Sequence, residues 1–177
     1  MFEVAYYIPM VYLPEMMMKD HGISRELAGT ILSVLGFCNM PGKILTGLIV
    51  QYFTISPMVL SVASMGLLGI AGICFTFCST YEHFVIVTAA YGTMLSFIDV
   101  YNPFIVIEIY GGKKVKDGFG LVMIAKMCST MWGSPIGGAL KDWSGNYNYA
   151  FYASGTFQII GAFLNILACL FHFNHNM

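Results

Sequence analysis

The chain has 177 residues, of which 58% are hydrophobic and only 10% charged, with a net charge of −1 from eight Lys/Arg and nine Asp/Glu. Soluble domains carry about 25% charged residues, so this composition excludes an ordinary soluble domain, and no basic patch of nucleic-acid type exists. The apolar runs exceed what a globular core needs and match the roughly 20 residues that cross a hydrocarbon layer of about 30 Å. An all-α, polytopic membrane protein is the expected class.

Six apolar segments follow in chain order, at 2–18, 27–53, 57–79, 84–110, 118–140 and 149–173. With no water in the bilayer to satisfy backbone groups, each is expected to be a helix. The first carries Glu3 and Glu15. It has no basic n-region of a signal peptide, and the chain starts almost inside it, which predicts a truncated reading frame. KDHGISRE leads to the second segment, with Ser24 placed as a helix N-cap. That segment holds Asn39, Pro41 and Lys43. TISP follows, with Pro57 at a helix start. The third segment has no charged residue but carries Gly66, Gly69 and Gly72. STYEH leads to the fourth, which holds Asp99 and Glu108. GGKKVKDG leads to the fifth, which holds Lys126 and a cluster of Gly133, Pro135, Gly137 and Gly138. KDWSGNYN leads to the sixth, again uncharged. Because every connection is short, neighbours in sequence are expected to be antiparallel neighbours in space. The lysines of GGKKVKDG (Lys113, Lys114, Lys116) place that loop, and both termini, in the cytoplasm by the positive-inside rule.

A charge near the bilayer centre costs about 2.5–3.5 kcal/mol on insertion scales, so charged residues should face protein or a water-filled cavity. Segments 1, 2, 4 and 5 are therefore expected to line a polar interior, and segments 3 and 6 to meet lipid. Lys43 is the sharpest case. It lies about 16 residues into its segment and 10 from its end, some 15 Å or more from either edge at about 1.5 Å per residue. A lysine stem of roughly 6 Å cannot snorkel that far. Asn39 shares its helix face, one turn earlier, and Gly36 and Gly47 continue that stripe. Pro41 removes a backbone hydrogen bond beside them, and a kink with freed carbonyls is what substrate sites at mid-membrane use. The alternative reading is a structural ion pair of Lys43 with Asp99 or Glu108. The glycines of segments 3 and 5 read first as close helix contacts, and those of segment 5 also as a place for a gating helix to bend.

Five cysteines (38, 74, 78, 128, 169) fall in apolar segments without a CxxC, so neither a disulfide framework nor a metal site is expected. Cys74 and Cys78 share a helix face, which reads as packing. No HExxH or GxSxG occurs, and His21, His83, His172 and His175 lie at loops or ends. Neither enzyme activity nor a cofactor is expected.

Two stretches resemble a known family. LSVLGFCNMPGKILTG is similar to the "LSIIGxxDxxxRxxxG" segment of the eighth helix of monocarboxylate transporters, in the major facilitator superfamily. GSPIGGALKDWSGNYNYAFYASG follows that family's "GPPIAGxLxDxTGxYxxxFxxxG" pattern, with Gly133, Pro135, Gly138, Leu140, Asp142, Gly145, Tyr147, Phe151 and Gly155 in place. The resemblance covers nearly the whole chain as helices 7 to 12 of twelve. It implies one six-helix half of a carrier, residues 1–177, with the N-terminal half absent. It further implies secondary transport of a monocarboxylate or related organic anion or amino acid by alternating access, in the plasma membrane. Lys43, Asn39 and Lys126 would bind substrate, and Asp99 or Glu108 would couple an ion or a proton. The partners implied are a small organic acid with a proton, the lipid bilayer, the other half or another chain, and an accessory membrane glycoprotein. Asn39 stands where the family has an acid and cannot ionise. Lys43 stands where it has an arginine and keeps the charge without the two-point grip. The rival reading is a non-transporting, truncated membrane paralogue that acts by association with another chain.

Overall fold

A computed structural model describes residues 2–52, 57–110 and 115–175. Six helices account for them: α1 (Phe2–Lys19), α2 (Arg25–Tyr52), α3 (Pro57–Cys74), α4 (Tyr81–Tyr110), α5 (Val115–Ser144) and α6 (Tyr147–His175), with a 3-10 turn at Phe75–Phe77. The charged ends of the connections are drawn into the helices. Lys141 and Asp142, read from sequence as loop, form the last turn of α5, and α4 starts three residues before the apolar run it contains. The third apolar segment is shorter as an α-helix than read, because the chain tightens into the 3-10 turn after Cys74.

The termini follow local chemistry. The Leu27 N–H donates to Ser24 Oγ at 3.4 Å, so Ser24 caps α2. Gly145 follows the last residue of α5 with φ of 69°, a left-handed conformation open to glycine without strain, and its N–H donates to the Lys141 carbonyl. Asn146 then caps α6, its Oδ1 accepting the Asn148 N–H at 3.0 Å.

Packing does not follow sequence order. The most extensive contacts join α2 to α4 and α3 to α6, followed by α3–α4, α1–α5 and α1–α6. Among the described residues, α2 and α3 have no substantial contact although only a short segment joins them. The expectation of sequential antiparallel neighbours therefore fails here. A short connection ties only the ends of two helices, whereas small residues decide which faces meet. A Cβ on Gly69 would lie 2.9 Å from the Gly155 carbonyl oxygen, and one on Gly155 would lie 2.8 Å from that of Gly69. Glycine at both positions is what lets α3 and α6 touch backbone to backbone. Gly137 and Gly138 make room for Tyr12 of α1 in the same way. Gly133 is buried and Pro135 exposed. The core between these helices is closed by Tyr91, Phe75, Phe84 and Phe151, all fully buried.

Among the described residues, four helices meet the length and hydropathy of a membrane span: Arg25–Tyr52, Val59–Phe77, Tyr81–Ile107 and Tyr147–Ala168. α1 seals Ala5, Ile8, Leu13, Met16 and Met17 against its neighbours.

Candidate functional site

α2 buries one narrow stripe (Ala28, Ile31, Leu35, Gly42, Thr46) and leaves the rest of its surface outward. The stripe meets α4 at very close range. A Cβ on Gly92 would sit 2.6 Å from the Leu35 carbonyl oxygen, and one on Gly42 would collide with Ser96 Oγ. Three polar contacts reinforce the seam. The Thr30 and Tyr81 hydroxyls lie 2.8 Å apart, Asn39 Nδ2 donates to the Gly92 carbonyl at 3.2 Å, and Lys43 Nζ stands 3.4 Å from Asp99 Oδ2.

The Lys43–Asp99 pair is the centre of the candidate site. Lys43 lies nine residues before Tyr52 at the end of α2, or about 13 Å of helix. Yet Lys43 and Asp99 are 48% and 43% exposed on the outer face of the pair α2–α4. Half-exposed charges at that depth face a water-filled space or further protein rather than lipid tails. Gly36 and Gly47 on the same stripe have open space where a Cβ would stand. The surface around Lys43 is therefore open and not sealed by this bundle. The large apolar residues Phe37, Met40 and Ile44 stand out beside it. α2 runs unbroken through Pro41. Asn39 thus meets a carbonyl of the neighbouring helix and not one freed in its own.

The other residues singled out from sequence do not join this pair. Lys126 lines a separate cavity of about 270 Å³ bounded by α3, α4, α5 and α6, together with Ser61, Asn102, Ser129 and Asn165. α3 and α6, assigned to lipid from sequence, therefore also wall a polar space. They do turn apolar residues outward as well, among them Ile70 and Phe163. The Glu108 side chain and Glu3 lie outside what the structure describes at side-chain level. Glu15 belongs to neither site. It pairs with Lys19 at 2.7 Å and with Lys141 at 3.7 Å, and Lys141 Nζ sits 5.0 Å above the Tyr147 ring. The single polar interior expected from sequence is thus three places: the α2–α4 face, the Lys126 cavity and the rim of the bundle at Glu15.

Sequence reasoning missed Asn102 and Asn165, because it counted formal charges and passed over amides in apolar runs. It also missed Tyr91 and Gln158, which are buried and bonded to each other at 3.1 Å. An amide in an uncharged helix was the available signal for Gln158. Among the described residues, no cluster of three or more His, Cys, Asp or Glu is placed to hold a metal ion.

The fold and this charged face define an all-helical integral membrane protein, six helices in one bundle. Residues 1–175 match the family model described as Major Facilitator Superfamily, and the chain belongs to that superfamily. It is similar to "Monocarboxylate transporter 9" of Mus musculus, 25% identical over 170 residues, covering 96% of this chain and 33% of that protein. It is 27% identical over 164 residues to "Monocarboxylate transporter 2" of Mus musculus, covering 90% and 34%, respectively. It is 26% identical over 152 residues to "Monocarboxylate transporter 3" of Gallus gallus, covering 85% and 28%. The chain spans about a third of the length of these curated relatives.

Proposed function

We propose that the chain is one six-helix half of a plasma-membrane secondary carrier for a monocarboxylate or a related organic anion or amino acid. The observation that carries this reading is the Lys43–Asp99 pair, held at membrane depth on an open face. In a carrier that works by alternating access, a second half supplies the facing wall and rocks against the first around a central site. The similarity to proteins named monocarboxylate transporters supports a carboxylate as the ligand of Lys43.

In this mechanism a substrate carboxylate competes with Asp99 for the Lys43 ammonium. Asn39 stays on the Gly92 carbonyl and keeps the two helices in register, one turn from the lysine. Released from Lys43, Asp99 is a carboxylate without its counter-charge on the open face. Asp99, with Glu108 as the second candidate, then couples transport to protons in place of the acid that Asn39 lacks. Lys126, with Asn102 in its own cavity, is a second candidate for holding an anionic group of the substrate. The termini lie in the cytoplasm, and an accessory membrane glycoprotein is a candidate partner. The relatives' greater length supports a facing half either in the same polypeptide or in another chain.

The test is uptake of labelled carboxylates by the carrier assembled with its second half, with and without an inward proton gradient. Saturable uptake that rises with the gradient is expected. Membrane insertion and association with another chain, but no uptake of any carboxylate, would favour the non-transporting paralogue instead.

A further inference from the structure

Gln158 of α6 is buried completely, and so is Tyr91 of α4. Gln158 Nε2 donates to Tyr91 Oη at 3.1 Å. Its other amide atom, Oε1, is buried with no hydrogen-bond partner among the described residues. A half-satisfied amide in a core is costly, and leucine or methionine fills similar volume without that cost. The surroundings are apolar and tight. The Tyr91 ring centroid stands 5.6 Å from that of Phe75, and Gln158 passes over Gly69 and Gly72 of α3 to reach α4. The amide thus acts across three helices at the one level where α3 and α6 meet backbone to backbone.

The residue after Tyr91 is Gly92, whose carbonyl holds Asn39 and whose missing side chain admits the α2 backbone. At this level α4 is therefore gripped from two sides, by α6 through Tyr91 and by α2 through Gly92. Asp99 lies eight residues further along the same helix, about 12 Å down its axis. A rigid helix held at one turn transmits that setting to the next two turns. We propose that Gln158 is a positioning residue for the Lys43–Asp99 site: by holding Tyr91 it fixes the rotation and depth of α4 and so presents Asp99 to Lys43. This rests on that pair being the site in the sense proposed above. It adds a residue on a helix that makes no contact with substrate in that proposal.

The experiment reads geometry apart from transport. In a chain with its five natural cysteines replaced, Lys43→Cys and Asp99→Cys are introduced together, and oxidative cross-linking in membranes is followed by loss of maleimide-polymer labelling. Efficient cross-linking is expected with Gln158 present. Gln158→Met should slow it by about fivefold, the equivalent of one buried hydrogen bond. Tyr91→Phe, which keeps the ring and its packing, should slow it as much, and the double variant no further. Thermal unfolding of each variant provides the second readout. Unchanged cross-linking in both single variants, whether or not stability falls, would overturn the proposal and leave the amide a structural bond. Slow cross-linking in both, in a carrier that never transports carboxylates, would uphold the positioning role and overturn only the function proposed for the pair.

Discussion

Replacing Gly92 with alanine tests how closely the two site-bearing helices depend on each other. The added Cβ would meet the Leu35 carbonyl oxygen at 2.6 Å and its Cα at 3.3 Å, where ordinary contact begins near 3.4 Å. Both are backbone atoms of α2, so no side-chain rotation relieves the clash, and the helices must part by most of an ångström. Overpacking of this kind costs about 1–3 kcal/mol, against which alanine regains about 0.5–1 kcal/mol of helix preference over glycine. The net loss, about 1 kcal/mol at the middle of these ranges, corresponds to a fall in unfolding temperature of about 2–4 °C for a chain of this size. The control is Gly36→Ala on α2, where a Cβ meets open space and the helix preference acts alone. Thermal unfolding of the two variants in the same lipid or detergent checks the difference. If Gly92→Ala proves as stable as Gly36→Ala, the close α2–α4 seam described here is wrong.

The same logic applies to α3 and α6. Gly155→Ala should destabilise by a similar amount in the same unfolding assay, since its Cβ would lie 2.8 Å from the Gly69 carbonyl oxygen. At the rim, Glu15→Gln should shift the unfolding temperature by little, because ion pairs open to solvent contribute little to stability; a large shift would show that this cluster holds the bundle together. Exchanging the charges of the central pair, with Lys43→Asp and Asp99→Lys in one chain, should recover stability lost in either single variant. A coupling of about 1 kcal/mol is expected from the double-mutant cycle, and no coupling would mean that the two groups do not pair in the membrane.

The helices were legible because hydrophobic length and the punctuation of Ser24, Pro57 and Gly145 are local signals. The Lys43 anomaly was legible for the same reason: depth along one helix is enough to show that an ammonium is in the wrong solvent. Asp99 was a named candidate partner, and its carboxylate stands 3.4 Å from Lys43, whereas the side chain of the other candidate, Glu108, lies outside the described residues. The arrangement of the helices was not legible, because α2–α4 and α3–α6 contacts depend on which glycines face which backbone. One helix at a time, Gly69 and Gly66 look alike, yet only Gly69 is pressed against another helix. The same reason separated Lys126 from Lys43. Two lysines in apolar segments suggest one cavity, whereas helix rotation turns the first outward beside α4 and the second into a space among α3 to α6.

The central claim is that Lys43 anchors a carboxylate on the open α2–α4 face. Uptake of a labelled monocarboxylate by the assembled carrier, measured for Lys43→Ala beside the unaltered protein at matched surface expression, tests it most directly. The account predicts loss of uptake with the protein still at the membrane. Unchanged uptake by Lys43→Ala would contradict it.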